Sequence, residues 1–187
     1  MRFSEIDDDG VWTIPPERYK TGRQNVVPLS DSALSVIHGQ ERIQHSDLVF
    51  TTNGLTPFSG FSKAKNRLDA AMLAHIGKVL PRLVQPSVVV PWRIHDLRRT
   101  ARTLMVRAGV RPDIAERVLG HAIQGIARVY DRYSYLDEKG DALERLAWLV
   151  TEIVSQSRAA PEHTRSEAVQ TLQKPYVSAI VGEPVLT

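Results

Sequence analysis

The chain has 187 residues, no cysteine, and 24 lysine and arginine side chains against 21 aspartates and glutamates. This length is enough for one ordinary domain with a sizeable core. The missing cysteine excludes disulfides, thiolate catalysis and zinc–cysteine sites. No apolar run approaches the ~18 residues of a membrane-spanning helix, and no secretory signal pattern opens the sequence. The composition therefore predicts a cytoplasmic protein.

The first segments favour β structure. Short β-rich runs at Val11–Ile14 and Asn25–Leu29 flank a turn that contains Lys20, which predicts a hairpin with a lysine at its tip. Leu48–Phe50 is a further short apolar run. The three runs together predict a small three-stranded antiparallel sheet.

The rest of the chain favours helices, so the sequence predicts an α+β fold that is mostly α. Glycine follows two of the helical segments and proline begins one, as expected at helix ends. Residues 157–187 show no hydrophobic period and are predicted to form a loosely ordered tail after a domain of residues 1–156. The predicted helices are Ser30 or Asp31 to Ile37, Ser62 to Ile76, Ile94 to Ala108, Pro112 to Gly120, Gln124 to Tyr133 and Leu136 to Val154.

Positive charge is concentrated in one window of the sequence. Nine of the 18 arginines lie between Arg93 and Arg132, where only four carboxylates oppose them. The planar fork of arginine suits phosphate, and a basic stripe is typical of a nucleic-acid binder. A solvated, salt-bridged helical surface would have the same composition. The charge pattern alone leaves both interpretations open.

His95 and Arg98 stand three residues apart at the start of a predicted helix, which places both side chains on one face. An imidazole beside a guanidinium is a suitable pair for the non-bridging oxygens of a phosphate. An isolated pair at this spacing is more often a helix-terminal histidine with a surface arginine. Arg99 is predicted to face away and to make an ion pair.

A second histidine and a tyrosine follow. Gly120 is predicted to end a helix and to leave His121 at its carboxyl end, where the helix dipole favours an imidazolium or a hydrogen-bond donor. Tyr130 comes nine residues later, with Tyr133 and Tyr135 as rivals. A tyrosine hydroxyl, with a reference pKa of ~10, is a weak nucleophile unless its phenolate is stabilised.

The order and spacing of these residues resemble the tyrosine recombinases, specifically the prophage-type integrases. The likeness runs from Met1 to about Trp148 and is most specific at the block that begins with His95. Additional matching segments are Ser4–Asp7, Val11–Pro15, Val27–Ser30 and Gly60–Lys65.

The resemblance implies a tyrosine recombinase (DNA breaking-rejoining) catalytic fold and a reaction that needs no cofactor and no metal. Tyr130 would attack a DNA phosphodiester and form a 3′-phosphotyrosine with a free 5′-hydroxyl. Arg98, His95 and His121 would neutralise and orient the phosphate. Lys20 would give a proton to the leaving 5′-oxygen.

The same resemblance implies double-stranded DNA attachment sites as the partner, a homotetramer on DNA, and a nucleoid-associated location in a bacterial cell. The side chains expected to contact DNA are Arg93, Arg99, Arg102 and Arg128.

The sequence departs from the family in one respect. Members carry an earlier catalytic arginine on a helix before the segment that matches Arg2–Asp7, and no residue here matches it. We therefore expect weak or undetectable cleavage, from either a piece of a longer enzyme or a decayed prophage remnant, of which we favour the remnant. A non-catalytic DNA-binding or regulatory fragment of an integrase is the main alternative. A helix-turn-helix repressor built from Val110–Arg132 is a poorer one, and a metal hydrolase is disfavoured by ligand spacing.

Overall fold

The computed structural model of the chain describes residues 1–20, 22–79, 91–121 and 133–159. Within these ranges the chain is mostly helical, with one small antiparallel sheet, which agrees with the predicted α+β class. Two compact units are distinguished. The first consists of residues 1–59 and 94–152, and the second of residues 60–93 and 153–187.

The predicted hairpin is present. Strand β1 (Val11–Ile14) pairs antiparallel with β2 (Asn25–Pro28), so that Val11 lies opposite Pro28 and Ile14 opposite Asn25. Branched and aromatic side chains make up β1 and the middle of β2, and they pack well on a pleated, half-buried surface. A single 3-10 turn at Pro16–Arg18 follows β1 and leads to the end of the hairpin that carries Lys20.

The predicted third strand is wrong, since the sheet of the described residues has two strands. Leu48 forms only an isolated bridge with Arg2. The neighbouring backbone is held by single hydrogen bonds and by side chains: Ser4 donates its backbone N–H to a carboxylate oxygen of Asp47 at 2.9 Å, and Leu48 N–H donates to the Ser46 hydroxyl at 3.3 Å. The backbone of this segment bonds to the first residues of the chain instead: the Phe3 N–H donates to the Asp47 carbonyl at 2.9 Å, and the Val49 N–H to that of Met1 at 3.2 Å. These bonds do not extend the β1–β2 ladder.

Five helices occupy the described ranges, and their bounds lie close to the predicted ones. The last helix continues to Ala159, beyond its predicted end. Of the helix predicted between Gln124 and Tyr133, all but the final residue lies outside the described residues. The helices are α1 (Asp31–His38), α2 (Phe61–Val79), α3 (Ile94–Arg107), α4 (Pro112–Val118) and α5 (Leu136–Ala159).

Local sequence signals explain where these helices begin and end. The Ser30 hydroxyl accepts a hydrogen bond from the Ala33 N–H at 3.3 Å and caps α1. After α3 the backbone reverses at Gly109, whose φ is 78°, and Pro112 opens α4. The proline has the φ that the first helical turn requires, and its missing N–H costs nothing there.

The core of the first unit lies where α3, α4 and α5 pack together. Met105 of α3 is fully buried, and Ala115 of α4 and Ala142 of α5 are almost fully so. Val110 and Ile114 complete the buried cluster. Because these side chains pack together at the carboxyl end of α3 and along α4, the core fixes the position of the turn that follows α4 and ends at His121.

A buried lysine joins α5 to the hairpin. Lys139 is 9% exposed, and its Nζ donates a hydrogen bond to the backbone oxygen of Val26 at 2.7 Å. Burial, and then the nearby charge of Arg117, lowers the pKa of the Lys139 ammonium below its ordinary value. The carbonyl compensates for part of the cost of removing this charge from water.

The second unit contains α2 and the end of α5. Within it, Asp69 is held from two sides: Lys65 pairs with one carboxylate oxygen at 2.5 Å, and the indole N–H of Trp92 donates to the other at 3.0 Å. The Lys65 ammonium also lies 4.6 Å from the centre of the Trp92 ring. No helix of the described residues is long and apolar enough to cross a membrane.

Candidate functional site

Arg98 lies against the carboxyl end of α4. Its half-buried guanidinium donates a hydrogen bond from Nη2 to the backbone oxygen of Leu119. That carbonyl belongs to the helix cap, at the negative end of the helix dipole, so a cation is favoured here. A guanidinium has five donors, and one acceptor does not exhaust it. His95, one turn earlier on α3, is exposed to solvent.

Helix α4 ends in the way its sequence predicts. Gly120 adopts a φ of 64°. Its N–H donates to the backbone oxygen of Arg117 at 3.0 Å, and the N–H of His121 donates to that of Glu116 at 3.0 Å. This pair of hydrogen bonds is the Schellman motif, which needs a left-handed residue after the helix and so favours glycine. The resulting 119–121 turn (Leu119, Gly120 and His121) carries His121 back over the last turn of α4.

The side chain of His121 is held by a carboxylate that the sequence analysis did not single out. Its Nδ1 contacts Oε2 of Glu116, and Oε1 of the same carboxylate accepts from Nε of Arg102 at 2.6 Å. The hydrogen bond with His121, and then that with Arg102, lowers the pKa of the Glu116 carboxyl below its ordinary value. The sequence did carry a signal for this contact: Glu116 stands five residues before His121, and the helix between them ends at a glycine.

The end of the hairpin lies against the same turn. The Tyr19 hydroxyl occupies the space that a Cβ on Gly120 would need. Lys20 directly follows Tyr19 and is exposed. A hydrogen bond of 2.9 Å from the Gly22 N–H to the Tyr19 carbonyl closes the backbone turn around Lys20. The fold therefore brings the hairpin lysine to the neighbourhood of the 119–121 turn, although more than 90 residues separate them in sequence.

The arginines predicted to contact DNA differ in their surroundings. Arg99 pairs with Asp96 at 3.5 Å with a side chain that is 78% exposed, the ion pair that its position predicts. Arg102 forms an ion pair with Glu116. Arg93 is an exposed residue directly before α3. Arg128 lies outside the described residues.

Of the three tyrosine candidates, Tyr130 also lies outside the described residues, so its role as nucleophile stays a prediction. Its two rivals pack against each other, with the rings of Tyr133 and Tyr135 edge to face and 4.9 Å between their centres. The guanidinium of Arg117 covers the Tyr135 ring at 3.7 Å. A cation–π contact at this distance gives Tyr135 a packing role.

The described site is thus a set of cationic and imidazole groups around the end of α4. Arg98 reaches it from α3, His121 from the 119–121 turn, and the hairpin end with Lys20 from β1 and β2. Groups of this kind stabilise negative charge that develops on a phosphate during transfer.

Comparisons with known proteins agree with the family resemblance described for the sequence. Residues 1–136 match the sequence profile of the phage integrase family. Over 152 residues the chain is 28% identical to the prophage integrase IntA of Escherichia coli (strain K12), which covers 80% of this chain and 33% of that protein. Over 150 residues it is 29% identical to the prophage integrase IntZ of the same organism, covering 79% and 34%. The chain therefore spans about a third of the length of these relatives. No solved structure matches it significantly.

Proposed function

The chain belongs to the phage integrase family, and from this premise we propose that it acts in site-specific recombination of DNA, with Tyr130 as the nucleophile. The observation that carries the proposal is the convergence of Arg98, His121 and the Lys20 turn on the end of α4. The proposed catalytic domain is residues 1–156, followed by a tail of residues 157–187.

In the proposed first step, the Tyr130 hydroxyl loses its proton to solvent and its oxygen attacks a backbone phosphorus of duplex DNA. The bond from phosphorus to the 5′-oxygen breaks, and Lys20 supplies the proton that this oxygen takes up. The products are a 3′-phosphotyrosine and a free 5′-hydroxyl. Attack by a 5′-hydroxyl of the partner strand reverses the chemistry and releases the tyrosine.

Arg98, His95 and His121 are proposed to bind the non-bridging oxygens of this phosphate. Arginine suits the task because its fork can donate two parallel hydrogen bonds and its charge persists at physiological pH. The duplex on either side would be held by Arg93, Arg99, Arg102 and Arg128. A homotetramer on DNA belongs to the same proposal.

The test is covalent capture of DNA. The 187-residue chain would be incubated with a labelled pool of nicked duplexes of randomised sequence, and protein–DNA adducts would be separated under denaturing conditions. Because one catalytic arginine of the family has no counterpart here, we expect a low yield of adduct with the unaltered chain. We expect none with Tyr130→Phe, and an undiminished yield with Tyr133→Phe, the matched control at the exposed rival tyrosine. An adduct that survives Tyr130→Phe would overturn the assignment of the nucleophile.

The same duplexes separate the proposal from its alternative, a non-catalytic DNA-binding fragment. Binding without any adduct, measured by fluorescence anisotropy, would support the alternative. In either case affinity should fall steeply with salt, because phosphate contacts release counterions. An affinity that does not change with salt would argue against a DNA role.

A further inference from the structure

We propose that Glu116 is a positioning residue that determines which nitrogen of His121 faces the scissile phosphate. The inference rests on the proposed function for the identity of the ligand, but its structural part does not require DNA. Glu116 would act through His121 and would not touch the phosphate itself.

The chemistry of the two groups decides the orientation. An ionised carboxylate can only accept hydrogen bonds, so the Nδ1 atom that contacts Glu116 must carry a proton. A neutral His121 is then held as the Nδ1–H tautomer, and Nε2 lies on the opposite edge of the ring. The side chain of His121 is 44% exposed, which leaves room for a ligand beside the ring. The lowered pKa of Glu116 keeps its carboxylate ionised at neutral pH.

The orientation of the ring also determines which nitrogen can meet an anion. An imidazolium keeps its Nδ1–H on Glu116 and has a second N–H at Nε2. That N–H is the donor that a non-bridging phosphate oxygen requires. Glu116 thereby leaves Nε2 as the nitrogen that can bind the anion.

Both groups are fixed in place. The other carboxylate oxygen of Glu116, Oε1, contacts Nε of Arg102 of α3 at 2.6 Å. The backbone N–H of His121 is tied to the Glu116 carbonyl at 3.0 Å, through the left-handed turn at Gly120. Because residue 116 is held at both its backbone and its side chain, the imidazole has a defined orientation before any ligand binds.

A purely structural ion pair is the competing explanation. The side chains of Glu116 and Arg102 are 31% and 49% exposed, and exposed pairs contribute little to stability. Removal of the carboxylate would then change the free energy of unfolding slightly and leave the tautomer of His121 as it was. The tautomer is therefore the decisive measurement.

The experiment is a long-range 1H–15N spectrum of the histidine rings of the full chain, recorded without DNA at a pH where a free imidazole is neutral. His121→Gln assigns the signal. We expect the Nδ1–H pattern in the unaltered chain, its loss in Glu116→Ala, and its retention in Glu41→Gln, a matched control at an exposed carboxylate of the loop after α1. Glu116→Gln keeps an acceptor oxygen and should restore the pattern in part.

An Nε2–H pattern in the unaltered chain would overturn the proposal, as would an unchanged pattern in Glu116→Ala. Thermal unfolding of each variant shows that it is folded. The anisotropy assay described above, repeated with Glu116→Ala, should show weaker DNA binding at constant salt. Failure of the unaltered chain to bind DNA would contradict the proposed function, whereas the tautomer result would still decide the role of Glu116.

Discussion

The hydroxyl of Tyr19 lies in the space that a side chain on Gly120 would occupy. One residue belongs to the hairpin end, next to Lys20, and the other to the 119–121 turn, next to His121. Two separate constraints therefore favour glycine at position 120: its φ of 64° and the close approach of the Tyr19 hydroxyl. The contact couples the position of the hairpin lysine to the end of α4.

This coupling predicts that Gly120→Ala is more destabilising than the same substitution at Gly22. Both glycines have a φ of 64°, but nothing lies within 4 Å of a Cβ at Gly22. The left-handed backbone alone costs an alanine about 1 kcal/mol, and Gly120→Ala must also displace Tyr19. The free energy of unfolding from urea titration measures the difference.

Tyr19→Phe removes the oxygen that meets the new Cβ while the ring carbon Cζ, at 3.5 Å, stays at ordinary contact distance. In the Gly120→Ala background it should therefore restore the part of the stability lost to the Tyr19 contact, whereas alone it should change stability little. Equal losses of stability in Gly120→Ala and Gly22→Ala would contradict the contact. Strictly additive effects of Gly120→Ala and Tyr19→Phe would contradict it as well.

Arg98→Ala should reduce stability as well as any phosphate binding, because it removes the donor to the Leu119 carbonyl. A hydrogen bond from a charged donor contributes about 1.5 kcal/mol at the low end of its range, which suits a half-buried group. Arg99→Ala, its neighbour on α3, removes an ion pair whose arginine is 78% exposed and should cost less than about 0.5 kcal/mol. Urea unfolding in the absence of DNA compares them. Equal stability losses would mean that the Leu119 contact does not support α4.

Met105→Ala should be among the most destabilising substitutions of the first unit, since Met105 is fully buried between α3, α4 and α5. Truncation of a buried methionine costs about 2–5 kcal/mol. Val106→Ala is the control on the next residue, which is 44% exposed, and should stay within about 0.5 kcal/mol of the unaltered chain. A small loss of stability in Met105→Ala would contradict the assignment of Met105 to the core. Thermal or urea unfolding gives both values.

Stability should fall in acid. Three carboxyls of the described residues have a pKa below the ordinary value: Glu116 beside His121 and Arg102, Asp47 beside the Ser4 hydroxyl and N–H, and Asp113 beside Arg111. A group whose pKa is lower in the folded state contributes stability that is present above the unfolded pKa and is lost as the pH falls through the folded one. Their ordinary values are 4.5, 3.8 and 3.8.

The free energy of unfolding should therefore be nearly constant from about pH 7 to pH 5 and decline below about pH 4. Glu116→Gln should make that decline less steep, because one of the three groups no longer titrates. Urea unfolding at a series of pH values measures both curves. A stability that rises on acidification, or an identical decline in Glu116→Gln, would contradict the assignment.

Much of the local structure follows from the sequence. The hairpin, the glycine that ends α4 and the proline that begins it were all predicted within a residue or two of their observed positions. The third strand was not, because the backbone of Asp47 and Val49 bonds to Phe3 and Met1, and a run of three apolar residues does not reveal where its hydrogen bonds go.

The candidate site, too, was predictable from the sequence only in part. By itself the sequence determined the family, through the residue types and their spacing around His95, Arg98, His121 and Tyr130, because such intervals along the chain can be seen without the fold. Only the tertiary structure decided that Tyr19 packs on Gly120, that Arg98 caps α4 and that Glu116 holds His121. These contacts join residues from different elements, and they depend on how α3, α4 and the hairpin pack, which no local periodicity specifies.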